Sequence, residues 1–132
     1  MNMTSKMSNR PSILGLGNDI IEISRIRKSI EDYSTHFLDR LFTKQEQEYC
    51  NKFHDATPHY AGRFAAKEAI AKAFGKGFGA EIGWCDIEIL PDESGKPTVT
   101  FSTAFEKQFN YPTVQLSISH CKNYATAVAI WC

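Results

Sequence analysis

The segment Tyr60–Gly75 constrains this chain most, because it predicts a long helix that another element can approach closely. Its sequence is YAGRFAAKEAIAKAFG, and Pro58, just before it, suits the first turn of a helix. Gly75 opens a glycine-rich stretch that ends the helix at Phe74. The neighbours of Glu68 along the helix include small residues that leave room for a strand or a ligand: Ala61, Ala65 and Ala71.

The charged residues of this helix admit two interpretations. Glu68 and Lys72 are four positions apart and share a helix face. They form either a solvated ion pair, worth about 0.2–0.5 kcal/mol, or a site in which Glu68 holds a metal and Lys72 a phosphate. Arg63 and Lys67 have the same spacing, and they either meet phosphate oxygens or are solvated. Spacing alone leaves both interpretations open.

A first strand is predicted at Ile13–Ile21, where two glycines and one acid interrupt an apolar run. Gly15 and Gly17 indicate close approach of another backbone or of a ligand. Asp19 is notable because a buried carboxylate costs several kcal/mol unless it is paired, hydrogen-bonded or metal-bound.

Two roles fit Asp19. As a strand-end acid, it would cap the helix that starts near Ser24 or pair with Arg25. As a Mg²⁺ ligand, it would use Glu68 as the second carboxylate, since magnesium favours one or two carboxylates completed by phosphates and waters. Two roles also fit His120: a structural residue at a strand end, or a residue that hydrogen-bonds a phosphate or a base or moves a proton.

The remaining pattern predicts an α+β fold with helices packed on a mainly antiparallel sheet. Thr43 and Glu46 have capping-box spacing, which predicts a helix that runs to about Phe53. Further helices are expected from Arg25, capped by Ser24, and at 33–41 and 104–109. The other predicted strands are 86–90, 98–101, 114–119 and 125–131.

Length and composition predict one domain, residues 12–132, preceded by a disordered extension at 1–11. No apolar run is long enough for a bilayer, and the extension lacks a signal-peptide core, so no membrane association is expected. The 15 basic and 15 acidic residues cancel, which argues against bulk nucleic-acid binding. Four cysteines without C-x-x-C spacing predict reduced, mostly buried thiols and a cytoplasmic protein.

Three blocks together resemble the short, trimeric type of the 4′-phosphopantetheinyl transferase superfamily. They are GLGNDIIEISRI at 15–26, GRFAAKEAIAKAFG at 62–75 and LSISH at 116–120. Linking pieces match as well, including FLDRLFT at 37–43 and SGKP at 94–97, so order and spacing agree from about Ile13 to Trp131.

The resemblance implies transfer of the 4′-phosphopantetheine arm of coenzyme A to a serine of apo acyl carrier protein, in fatty acid biosynthesis. Adenosine 3′,5′-bisphosphate would be the leaving group. Asp19, Glu68 and Lys72 correspond to the catalytic residues, with Asp19 and Glu68 as Mg²⁺ ligands and Lys72 against the diphosphate. A carboxylate or a metal-held water would deprotonate the serine. The remaining coenzyme A contacts would come from Arg63, Ser119 and His120.

The resemblance also implies partners. A homotrimer would bind coenzyme A between adjacent subunits, and a basic helix after the first strand would meet the acidic carrier through Arg25, Arg27 and Lys28. This helix then turns acidic at Glu31 and Asp32, which departs from the family pattern. Two other functions fit the residues: a non-catalytic module that binds coenzyme A or an acidic partner, and a Mg²⁺-dependent nucleotide hydrolase.

Overall fold

The computed structural model describes residues 12–132, so the predicted extension at 1–11 lies outside the described residues. The helices are α1 (Ile23–Leu41), α2 (Lys44–Cys50), α3 (Thr57–Phe74) and α4 (Thr103–Gln108), with a 3₁₀ turn at Trp84–Asp86. The strands are β1 (Gly15–Glu22), β2 (Ile87–Pro91), β3 (Pro97–Phe101), β4 (Val114–His120) and β5 (Tyr124–Trp131).

The strands form two antiparallel sheets. The larger sheet has the order β1-β5-β4, so the last strand of the chain lies between the first strand and β4. Asp19 pairs with Ala127, and Ser119 pairs with Thr126. β2 and β3 form a separate hairpin. The predicted α+β class with mainly antiparallel strands is confirmed.

Helix α3 lies directly against β1, with glycine backbone facing helix backbone. A Cβ added to Gly15 would lie 1.8 Å from the Ala73 carbonyl oxygen, and one added to Gly17 would lie 2.0 Å from that of Ala69. No side chain fits at either position. The two glycines predicted close approach of either a ligand or another backbone. The structure shows that they contact the backbone of α3.

The same helix contributes to two apolar clusters. Its Ala69, Ala73 and Phe74 pack with the hairpin, α4 and the larger sheet. Toward the start of the helix, Tyr60 and Ala61 pack with α1 and α2. Because α3 contributes to both clusters, side chains on its different turns face different parts of the molecule.

A buried ion pair connects α3 to the neighbouring elements. Lys67 and Glu46 are both fully buried, and the Lys67 ammonium donates to Glu46 Oε1 at 2.7 Å. It also donates to the carbonyl oxygens of Leu41 and Trp84. Burial lowers the pKa of Lys67, and the Glu46 charge opposes that shift. Neither sequence interpretation of Lys67 was correct, since it is not solvated and cannot reach a ligand.

Both carboxylate oxygens of Glu46 also accept hydrogen bonds from backbone amides. Its Oε1 accepts from the Thr43 amide at 2.8 Å, which completes the predicted capping box. Its Oε2 accepts from the Ile89 amide at 2.8 Å. Such bonds offset the desolvation that makes a buried ion pair costly. The pair therefore fixes the positions of α2, α3 and β2 relative to one another.

Several predicted boundaries and caps were wrong. Helix α1 begins at Ile23 without a side-chain cap from Ser24; instead, the Ile23 amide donates to the Asn123 carbonyl in the β4–β5 turn at 2.9 Å. The helix bends at Ser34, whose φ of 52° is non-helical, so the two predicted segments join there. Helix α2 ends at Cys50, three residues before the predicted end.

The prediction that most of the thiols are buried was wrong. Cys50 is buried, whereas three thiols are exposed: Cys85, Cys121 and Cys132. Within residues 12–132, no helix combines the length and apolar character required to cross a bilayer.

We expect Gly17→Ala to lower the free energy of unfolding by about 1–3 kcal/mol or more, because its Cβ would collide with the backbone of α3. Urea denaturation measures this change. The control is Gly77→Ala, at an exposed position where an added Cβ meets nothing within 4 Å. Equal stability of the two variants would contradict the proposed close contact.

Candidate functional site

Two acidic side chains face each other across the β1–α3 contact. Asp19 lies on the same face of β1 as Gly15 and Gly17, which is the face that packs on α3. Glu68 lies on α3, and the charge of Asp19 acts on it. The structure therefore brings together the two carboxylates that the sequence suggested.

Lys72 completes this group. Its ammonium donates to Asp19 Oδ1 at 3.0 Å and to the Asn18 carbonyl at 3.0 Å. Among residues 12–132, Lys72 forms an ion pair with Asp19, and none of the ion pairs includes Glu68. Of the alternatives that spacing left open, an ion pair between Glu68 and Lys72 and one between Asp19 and Arg25 do not form. Because the Lys72 side chain is 54% exposed, its ammonium can be reached by a ligand.

Glu68 has a raised pKa, first because it is partly buried and second because Asp19 is close; Lys72 opposes the shift. Two carboxylates in this position repel each other, and a cation between them relieves the repulsion. Their oxygen donors fit a hard ion such as Mg²⁺. Within the described part of the chain, no cluster of three or more acidic, histidine or cysteine side chains could hold a metal ion. A bound ion would therefore take its remaining ligands from substrate or water.

A second cluster lies near the start of α3. Arg63 is 6% exposed, and its Nε donates to the Ile89 carbonyl at 3.0 Å. Its guanidinium carbon lies 4.3 Å from the centre of the Tyr49 ring. A coenzyme A contact by Arg63 stays a prediction, and this geometry assigns the side chain a packing role as well.

His120 is exposed at the end of β4, and its ring centre lies 5.7 Å from that of His59 on α3. Ser119 is exposed beside it. His59 was not among the residues predicted from the sequence, although its position four residues before Arg63 places both on one helix face. The pKa of His59 is lowered mainly by burial and, to a smaller extent, by His120 and Arg63.

The two clusters face different directions. Arg63 and Glu68 are five residues apart, which corresponds to about 7–8 Å along a helix and a rotation of about 140°. A single chain therefore does not direct both clusters toward one small site.

The basic residues of α1 differ in their surroundings. Arg27 pairs with Asp55 at 2.9 Å and lowers the pKa of that carboxyl to about 2. Lys28 pairs with Asp32 at 3.1 Å. Arg25 is exposed and has no ion pair among residues 12–132. Of the three, Arg25 is the side chain best placed to meet an acidic surface.

The chain matches the 4′-phosphopantetheinyl transferase superfamily over residues 15–129. It is 53% identical over 118 residues to a protein of Protochlamydia amoebophila (strain UWE25) named holo-[acyl-carrier-protein] synthase; this covers 89% of the chain and 97% of the relative.

Two solved structures are similar as well. The holo-(acyl-carrier-protein) synthase of Bacillus anthracis str. Ames, in complex with CoA (3′,5′-ADP), has a TM-score of 0.78 at 40% identity, covering 90% of this chain and 96% of that one. The enzyme of Helicobacter pylori, in complex with coenzyme A, has a TM-score of 0.82 at 34% identity, covering 89% and 99%. The chain belongs to the 4′-phosphopantetheinyl transferase superfamily, as its residues suggested.

We expect Glu68→Gln to raise the free energy of unfolding slightly at about pH 7, because it removes a partly buried carboxylate from beside Asp19. A carboxyl with a raised pKa in the folded state costs stability above that pKa, and the cost disappears as the pH falls through it. The gain should therefore shrink toward about pH 4 in chemical denaturation.

The control for this measurement is Glu48→Gln, on the exposed side of α2. A Glu68→Gln protein that is less stable than the parent at neutral pH would contradict the repulsion between the two carboxylates.

Proposed function

We propose that this chain transfers 4′-phosphopantetheine from coenzyme A to a serine of apo acyl carrier protein, in fatty acid biosynthesis. The products are holo acyl carrier protein and adenosine 3′,5′-bisphosphate. The observation that carries the proposal is the convergence of Asp19, Glu68 and Lys72 at the β1–α3 contact, in a chain that belongs to this superfamily.

Asp19 and Glu68 would hold Mg²⁺, which supplies positive charge against the diphosphate of coenzyme A when bound. Lys72 lies next to this position and is exposed enough to exchange one acceptor for a phosphate oxygen. The serine oxygen then bonds to the phosphorus that carries the pantetheine arm, and the bond from that phosphorus to its bridging oxygen breaks. Lys72 neutralises the charge that develops on the leaving group.

The proton of the attacking serine needs an acceptor within the same site. One acceptor is a carboxylate oxygen of Asp19 or Glu68 that does not contact the ion. A water held near the carboxylates is the other acceptor that this arrangement allows.

The nucleotide end of coenzyme A is assigned to Arg63, Ser119 and His120. The exposed position of His120 and Ser119 at the end of β4 supports a contact with a ligand. Because this cluster and the carboxylates face different directions on α3, we place coenzyme A between two adjacent subunits.

An apolar outer surface supports self-association into a homotrimer. The face of the larger sheet opposite to α3 carries Leu16 and Ile20, which are 66% and 64% exposed, and Val128, which is 41% exposed. Val128 pairs with Asn18, between Leu16 and Ile20 on β1, so the three apolar side chains lie on one face. Exposed apolar patches of this kind often mark protein contacts.

The acidic carrier protein is assigned to the start of α1, where Arg25 is exposed. Arg27 and Lys28 belong to the same surface, although their partners Asp55 and Asp32 weaken its positive charge. The cytoplasm, where carrier protein and coenzyme A would meet this enzyme, is the proposed location.

Asp19→Asn and Glu68→Gln are expected to fold and to lose at least about 100-fold in transfer, because the charge that holds the ion and diphosphate is reduced. Intact-mass measurement of apo acyl carrier protein, incubated with coenzyme A and Mg²⁺, detects the transferred arm. Glu48→Gln is the control.

Full transfer by both variants would remove the carboxylates from the mechanism. Binding of coenzyme A by the parent protein without any mass shift would favour a non-catalytic module.

Ile20→Glu is expected to dissociate the trimer, because a carboxylate would be placed in the apolar contact surface. Sedimentation velocity measures the change in mass, and transfer should fall with it if coenzyme A binds between subunits. Tyr111→Glu, which alters an exposed aromatic residue between α4 and β4, is the control. A parent protein that sediments as a monomer would contradict the proposed homotrimer.

A further inference from the structure

His59 has no role in the mechanism described above, yet aromatic groups surround it. Its ring stacks on Phe53 with centres 3.5 Å apart and planes 15° apart. The ring of His120 meets it edge-on at 5.7 Å and 69°, and that of Tyr49 does so at 6.3 Å and 86°. The exposed His120 ring at the end of β4 therefore contacts His59 on α3.

The groups that face His59 come from every neighbouring element. Tyr49 lies on α2, Phe53 and Asp55 on the loop after it, Arg63 on α3 and His120 at the end of β4. The backbone carbonyl of His59 also accepts from Arg63 Nη1 at 3.5 Å. Burial, His120 and Arg63 disfavour a proton on the imidazole, and Asp55 favours one.

We propose that His59 is a positioning residue for the nucleotide end of coenzyme A: it orients the His120 ring and adds a proton-dependent positive charge to the cluster with Arg63. This inference rests on the proposed function, because it assumes that a phosphate group of coenzyme A binds near His120.

Two physical consequences distinguish this role from simple packing. A phosphate placed against the cluster favours the protonated imidazole, so ligand binding draws a proton onto His59. Protonated His59 then raises the affinity for coenzyme A at mildly acidic pH. This contribution disappears as the pH rises and the ring becomes neutral. A phenylalanine at this position would preserve the stacking on Phe53 but would carry no proton.

The direct test is NMR titration of the Cε1–H signal of His59 with and without adenosine 3′,5′-bisphosphate. This probe carries the nucleotide phosphates but lacks the diphosphate and the arm. The midpoint of the His59 titration is expected to move upward when the probe is bound. An unchanged midpoint, or no binding of the probe by the parent protein, overturns the inference.

Steady-state kinetics give the second test. For His59→Phe, the KM for coenzyme A should rise about threefold or more at about pH 6 and match the parent at about pH 8, with kcat unchanged. His59→Ala, which also removes the ring, should raise this KM at both pH values. His54→Phe alters an exposed histidine nearby and should change neither value.

Parent-like KM values for His59→Phe at about pH 6 would overturn the role of the charge. Parent-like values for His59→Ala at about pH 8 would overturn the orientation of His120. Because the parent protein is assayed in parallel for arm transfer, failure of these tests remains separate from failure of the proposed function.

Discussion

The arrangement of the molecule depends on the contact between β1 and α3, in which two backbones touch without side chains between them. Gly15 and Gly17 allow the strand to lie against the carbonyl groups of Ala73 and Ala69. Because the strand lies so close, Asp19, further along the same face, comes within the electrostatic reach of Glu68 and the hydrogen-bonding reach of Lys72. Any side chain at either glycine would separate the elements that carry the proposed chemistry.

A second constraint sets the rotation of α3 about its axis. Lys67 is directed into the interior, where Glu46 and two carbonyl groups bind its ammonium. The next residue, Glu68, is turned about 100° away from it by the helical geometry. Two adjacent charged residues thus have different roles: one holds the helix against its neighbours, and the other faces Asp19.

The sequence predicted much of the fold, because local signals were strong. Helix α3 ends at Phe74 as expected, and the Thr43–Glu46 capping box forms with the expected bonds. The prediction failed where a distant part of the chain decides a local feature. The start of α1 is set by the Asn123 carbonyl instead of the Ser24 side chain, because the β4–β5 turn lies against it.

By itself, the sequence determined the helical and strand periods, the need for a close approach at Gly15 and Gly17, and the residue types of a metal–phosphate site. Only the tertiary structure decided the partner of each charge. Lys72 binds Asp19 instead of Glu68, Lys67 is buried against Glu46, and His59 meets His120. Spacing along a helix identifies which residues share a face, but the partner of a charge depends on elements that are distant in sequence and adjacent only after folding.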